Sequence, residues 1–579
     1  MAIGLRGWPG ATLWGFLHAG AGFVGLAFLA GAGCGPRAVV PVGAAPEATV
    51  TPSLSPFAHV VQAREFPRGL SRAQLRKRII VDVRERLMSH RDIERDAARM
   101  VNEIAPIVED AVRQPEVLPG LEAFAADSDT TVEEARKRWA QLQIADIMLE
   151  SGGDPDALSS AAAAGAAQWL AGTARGAGLP VDLRASNQLT ARITATRCRI
   201  AWIEYLRRPD ARPDAPGAPA SALPDAALLP SLNSELETLR ENRRRVDARY
   251  DPRRAIFAQT RYLLRIYAKF PSPDWLFQAY HGGEAGAAKT LRLYLGKSWP
   301  GTVDAAIRTG ADGAPLTFDT LYFTTSPGFH AEAFSYLYGR SDDHRHYWYK
   351  LLAAEQVLEV YRKSPEAFHK EWESNLPGRR IEAYWYPEAA AETIPNLQAL
   401  KNRAGLATVL DQPGLVVRPA QDDPVNSGSY QVLRPAAKGA LLEIVAAFRR
   451  NGGMNSLETG DLTLTQEYVD RARVLHPPKP PRPPIFPPDP DADQCIGGGP
   501  ARRFDYHTVG LVFDIFRPKD ERDRKILAYT FDRLEALGLL SAIEAKDRDE
   551  RRFHIVPHPR YTDLYARLAE GKSGFPKAR

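Results

Sequence analysis

Cysteine is scarce: three in 579 residues, at Cys34, Cys198 and Cys495. Their spacing excludes a Cys-type metal ribbon and a disulfide framework. Neither charge sign dominates. Seventy-five Lys and Arg against 70 Asp and Glu leave a net charge of +5. That mild basicity suits an anionic polymer such as cell wall. It lacks the clustered stripe that would argue for nucleic acid as a partner. Beyond the N-terminal segment no stretch is long and apolar enough to span a bilayer. There is no internal repeat.

What is present reads as several domains. A chain of 579 residues is too long for one core, so two to four are expected. Apolar content of 44% and charge of 25% are ordinary for globular protein. The segment 1–33 carries Arg6, an apolar body from Ala11 to Ala32 and small residues up to Gly33. It reads as an export signal. The small residues before Cys34 resemble a bacterial lipoprotein processing box, with Gly31 where Leu is usual. That likeness implies lipidation at Cys34, a membrane anchor through that lipid, and a place on the periplasmic side of a bacterial cell envelope, the outer membrane first. Cys198 and Cys495 then remain as a disulfide or as two thiols.

Residues 34–62, rich in Pro, Ala, Val and Thr, read as a tether. Residues 63–137 are helical and strongly charged, as in Gln74–Ile80 and Ile93–Met100; such charge runs are solvated helix faces. The run Asp129 to Glu133 is a capping-type start for the helix that carries Trp139. A flexible insertion is expected at 208–231, a helical connector at 356–410, and a proline-dense loop at 476–499. From 411 to 579 short β-type runs (Leu415–Val417, Val509–Phe516, His554–Val556) surround helices near 436–449 and 520–538, which suggests α+β.

One segment carries more chemistry than the rest. Glu150 ends an apolar helical stretch (Ile144, Ile147, Met148, Leu149) and a Gly152-Gly153-Asp154-Pro155 turn follows at once. Ala- and Gly-rich backbone after it can approach a ligand closely. The arrangement suits one acid held at the lip of a cleft. The run from Glu150 to Ala174 resembles the catalytic core of lytic transglycosylases with a goose-type-lysozyme-like fold. It matches their pattern at Glu150, Ser151, Pro155, Ala157, Ser159, Ala163, Gly165, Gln168, Thr173 and Ala174. It departs at Ala162 (usually Gly), Ala167 (usually Met) and Ala171 (usually Pro). Two later blocks are similar too: Asp247 to Pro252 leading to Ala279-Tyr280-His281-Gly282-Gly283, where the family has Asn and Ala at 281 and 282, and the closing segment Arg345 to Ala354. The likeness covers residues 138–355.

The resemblance implies a mainly α, lysozyme-like domain that cuts peptidoglycan without a cofactor. Glu150 would protonate the oxygen between N-acetylmuramic acid and N-acetylglucosamine. It would then take the proton of the muramic 6-hydroxyl, giving a 1,6-anhydro product. Asp154 and Asp156 are more simply turn formers, so no clear second acid accompanies Glu150, which favours this route over hydrolysis. Glu150 must hold its proton near neutral pH, which requires burial against apolar walls. Ser151 and Tyr347 are the candidates to orient it, and Gln168 and Tyr280 would contact sugar.

A second constellation lies near the C-terminus. His507 and Asp514 are seven apart, and His554 in Phe553-His554-Ile555-Val556-Pro557 can complete a three-ligand metal set. Residues 411–560 resemble zinc D-alanyl-D-alanine carboxypeptidases, which implies a possible zinc ion and peptidoglycan stem peptides as ligand. The active peptidases carry a Glu shortly before the last His; here Glu550 and Arg551 precede His554. Leu464 stands where an Arg is usual. His558 is a spare ligand. The fold class expected is therefore multidomain, a lysozyme-like α domain followed by an α+β domain. The leading function is peptidoglycan lytic transglycosylase. The alternatives are a peptidoglycan-binding envelope lipoprotein that does not turn over, and a zinc peptidase of stem peptides.

Overall fold

The computed structural model describes residues 71–90, 92–206, 227–296, 299–310, 313–374, 381–386, 392–418, 431–475, 506–547 and 550–571. The signal segment, Cys34, the tether, most of the 208–231 insertion, the proline-dense loop and Cys495 lie outside them. The described chain is mostly helical with a few small sheets, an α-rich body with an α+β part. Among the described residues no helix is long and apolar enough to cross a membrane.

The organising element is the helix Val132–Ser151. Thr131 caps it: its side chain accepts from the Glu134 amide, and Glu134 reaches back to the Thr131 amide. Reciprocal capping of this kind satisfies two otherwise orphaned donors. From Leu142 to Glu150 every residue is buried, so this half of the helix has no solvent face. Helices Asp342–Lys363, Leu118–Asp127 and Ala105–Ala111 pack around it. Trp139 sits edge-on to Phe124 and Tyr267, with ring centroids 5.3 and 5.8 Å away. Helix Pro252–Tyr267 begins as the Asp251-Pro252 pair dictates: the Asp251 carboxylate accepts from the Arg254 amide, and Pro252 occupies the first turn.

In the α+β part, helices Pro435–Arg450 and Glu521–Ala536 flank a three-stranded antiparallel sheet. Strand Glu550–Pro557 is its centre, between Phe513–Phe516 and Leu540–Asp547. The strand expected from Val509 starts only at Phe513. Tyr506–Val509 form a 3₁₀ turn, and Gly510, with φ of +69°, redirects the chain first.

The two parts are not separated by solvent. Helix Arg72–Met88 lies against both Asp342–Lys363 and Glu521–Ala536. Its Arg78 donates to the Leu537 carbonyl at 2.9 Å and its Arg86 to Glu535 at 2.6 Å. Arg345 Nε donates to the buried Asp532 at 3.0 Å. One hydrophobic core cluster runs from Ile79 to Leu568.

Candidate active site and a buried histidine–carboxylate cluster

Glu150 is 7% exposed, on the last turn of its helix. Gly152 ends that helix with φ of +62°, and a Cβ there would lie 2.7 Å from Asp96 Cγ. The turn is held from outside by Arg99, which donates to the Gly152 carbonyl at 3.1 Å. Asp96, pushed up to about 6 by burial, packs beneath it. Tyr347, from helix Asp342–Lys363, places its hydroxyl 2.7 Å from Glu150 Oε1. The Tyr347 ring is stacked on His281, centroids 4.0 Å apart, and His281 Nδ1 makes a longer 3.4 Å contact to the same oxygen.

The expectation of a solitary acid is corrected here. Asp146, one helical turn before Glu150, is 0% exposed and lies 2.6 Å from the same Tyr347 hydroxyl. Burial first, and then the neighbouring Glu150 carboxylate, push the Asp146 carboxyl well above its usual range. Gln259 Nε2 donates to Asp146 Oδ2 at 2.9 Å and lies 3.1 Å from the Tyr280 hydroxyl. Gln143 Nε2 donates to Gln259 Oε1 at 3.1 Å, which fixes which end of that amide faces Asp146. Asp146 was legible as a signal: Gln143, Asp146 and Glu150 recur at helical spacing within an otherwise apolar run, which makes a polar stripe on one face.

The other sequence candidates gather at the same place but with different duties. Ser151 does not orient Glu150: its hydroxyl donates to the Ala166 carbonyl at 2.6 Å and accepts from the Gly153 amide at 3.1 Å, tying the turn to the loop beyond. Gln168 has φ of +46° and donates to the Gly165 carbonyl at 2.9 Å. Tyr280, partly buried, donates to the Ala167 carbonyl at 2.9 Å. Both side chains stabilise the loop 158–169. Arg249 lies within the Asp247 to Pro252 block and is buried. It pairs with Asp247 through two nitrogens, at 2.9 and 2.7 Å, and donates to the carbonyls of Ala162 and Trp169, each at 3.1 Å. Asp156 takes Arg197, Arg240 and Arg243, so it binds the turn to helices Leu183–Leu206 and Leu228–Val246. Cys198, in the first of these helices, is disulfide-bonded.

The second cluster also forms. Asp514 and His554 are directly opposed across neighbouring strands, so their side chains share a face. His554 Nδ1 is 2.9 Å and His507 Nε2 is 3.2 Å from Asp514 Oδ1. The three ligand atoms all lie within 4.8 Å of one another. Donors bound at about 2.0–2.1 Å around a tetrahedral ion stand roughly 3.3 Å apart, so the three residues could hold a metal, and the same 2.9 and 3.2 Å spacings serve a buried hydrogen-bond cluster. Burial alone would raise the Asp514 carboxyl, but the two histidines outweigh it and hold the group below its usual range. Arg552 covers the other Asp514 oxygen at 2.9 Å and also pairs with Asp461 at 2.6 Å.

A carboxylate from a distant part of the chain does reach His554. Glu382, 1% exposed on the short helix Ile381–Trp385, lies 2.7 Å from His554 Nε2. The Glu550 side chain lies outside the described residues, Arg551 is exposed, and His558 accepts from the Arg560 amide as a cap. A contact across more than 170 positions leaves no local pattern to read. Comparison with protein families, with curated proteins and with solved structures finds no match.

Proposed function

We propose that this protein cleaves peptidoglycan glycan strands as a lytic transglycosylase, with Glu150 as its acid and base. The observation that carries the reading is the setting of Glu150: a nearly buried carboxyl at a helix end, against a tyrosine hydroxyl, above a loop tied by Arg249. Asp146 does not convert it to a two-carboxylate hydrolase. A hydrolytic pair needs its second group open to water or to the sugar, and Asp146 is wholly enclosed behind Tyr347. One accessible acid suits a reaction in which the substrate supplies the second nucleophile. Glu150 gives its proton to the glycosidic oxygen as the C1–O bond breaks, and the muramic acetamido group steadies the cation. The Glu150 carboxylate then takes the proton of the 6-hydroxyl while O6 bonds to C1. No water is consumed. The lipoprotein-like start of the chain and a disulfide at Cys198 both suit an oxidising envelope compartment.

Glu150→Gln keeps the shape and removes the transferable proton. It is expected to lower release of anhydro-muropeptides from purified sacculi by about 10²–10⁴-fold, with sacculus binding retained. Unchanged release would move the acid elsewhere. Absence of product with wild-type protein, across pH and metal, would favour a binding role.

The His507–Asp514–His554 cluster supports a second role for the C-terminal part, gripping or trimming stem peptides with zinc. His507 Nε2, Asp514 Oδ1 and His554 Nδ1 would hold the ion. Glu382 on the far nitrogen of His554 would fix that ring, as carboxylates beyond metal-bound histidines do. Zinc there would supply Lewis acidity toward a peptide carbonyl. His507→Ala is expected to lower zinc content measured by elemental analysis; equal content would remove His507 from the set.

A further inference from the structure

The Tyr347 hydroxyl has one hydrogen and touches two carboxyl oxygens, Asp146 Oδ1 at 2.6 Å and Glu150 Oε1 at 2.7 Å. Were both groups ionised, one of these contacts would set lone pair against lone pair in a buried place, which costs more than an ordinary lost hydrogen bond. At least one carboxyl therefore carries a proton. Its place can be derived. Asp146 Oδ2 faces the NH₂ of Gln259, so that oxygen accepts. A proton on Asp146 must then sit on Oδ1, pointing at Tyr347. The polar groups around the pair are Glu150 on the same helix, Gln259 on Pro252–Tyr267, Tyr280 and His281 on Pro273–Gly282, and Tyr347 and His344 on Asp342–Lys363. None of the partners of Asp146 is a Lys or Arg. His344 is held neutral, lowered to about 2 mainly by burial. An anion at Asp146 would thus be buried without a cation.

We propose that Asp146 is a positioning residue that works as a neutral carboxylic acid. Its Oδ1–H donates to the Tyr347 oxygen, which commits the single Tyr347 hydrogen to Glu150 Oε1. With Oε1 an obligatory acceptor, the proton that Glu150 delivers is confined to its other oxygen. When Glu150 becomes a carboxylate, the same hydroxyl is already aimed at the charge. Acids kept neutral by an apolar setting serve as donors in this way. The inference rests on the glycan-cleavage reading for its purpose, although the protonation state of Asp146 does not depend on it.

Asparagine is the isostere of a protonated aspartate: its NH₂ can donate to Tyr347 and its oxygen can accept from Gln259. Asp146→Asn is therefore expected to keep anhydro-muropeptide release within about threefold of wild type, with the same pH profile, while Asp146→Ala loses about tenfold or more. A tenfold loss in Asp146→Asn, or a displaced alkaline limb, would overturn the proposal, because it would mean that Asp146 acts as an anion. A second readout needs no activity. A carboxyl whose folded pKa is raised favours the folded state below its unfolded value, near 3.9, and that advantage is lost as pH rises through the folded value. Thermal melts from pH 4 to 9 should show wild type losing ground to Asp146→Asn as pH climbs. Parallel curves would overturn the proposal even if wild-type protein released no product. Wild type losing ground in this way, with no product released, would instead sink the transglycosylase reading alone.

Discussion

Ala162 adopts φ of +62°, in the left-handed region, at a position where the motif it resembles usually has glycine. A Cβ in that region costs roughly 1–2 kcal/mol. The loop keeps the conformation because Arg249 fixes the Ala162 carbonyl and Ser159 the next amide, so the strain is imposed by neighbours. Ala162→Gly is expected to raise stability by about 1 kcal/mol in urea titration; a loss would mean that the loop relaxes when the methyl is removed. The departures at 281 and 282 have one cause. A Cβ on residue 282 would lie 1.5 Å from His344 Cε1, so glycine is required where that ring sits, and His281 turns its own ring onto Tyr347. In sequence the two looked like separate losses. His344 lies more than 60 positions away, and only packing links the three.

The loop 158–169 is where local sequence and tertiary contact meet. Its small residues are legible as a tight backbone, and bridges Leu158 to Ala164 and Ala164 to Trp169 fold it on itself. What it is tight against is not legible. Gly165, with φ of +76°, would place a Cβ 1.8 Å from the Arg249 carbonyl, a main-chain atom that cannot swing aside. Gly165→Ala is expected to cost about 2–4 kcal/mol and to abolish product release while the circular dichroism of the helices persists. Normal release would show that the loop can separate from Arg249 without harm. Helices form where periodicity and caps agree. The 436–449 and 520–538 expectations appear as Pro435–Arg450 and Glu521–Ala536. The strand expected from Val509 is shorter, because Gly510 and a 3₁₀ turn interrupt the run.

Across the molecule, the helix that carries Tyr347 is also held from the C-terminal part. Arg345 pairs with Asp532, both groups buried, and His346 lies 3.5 Å from the same carboxylate and 3.0 Å from the Tyr322 hydroxyl. Burial would raise Asp532, but Arg345 and His346 hold it below its usual range. Asp532→Ala removes the carboxylate that balances the buried Arg345 charge, a loss of about 3–5 kcal/mol. Because the core is continuous, calorimetry is expected to show one cooperative transition moved to lower temperature. Two transitions with one unmoved would mean that the parts unfold independently.

The sequence by itself determined many of the helices and caps, the glycine-bounded turn after Glu150, and the Glu150, Tyr347, His507, Asp514 and His554 members of the two clusters. These follow from spacing and side-chain chemistry within a few turns of chain. Tertiary structure alone decided that Asp146 shares a hydroxyl with Glu150, that Ser151 serves the turn instead of the acid, that Arg249 anchors the loop, and that Glu382 reaches His554. Each of these is a contact between buried polar groups on different elements or successive helical turns. Its partner is chosen by the need to satisfy hydrogen bonds in the absence of water, and no local period records that choice.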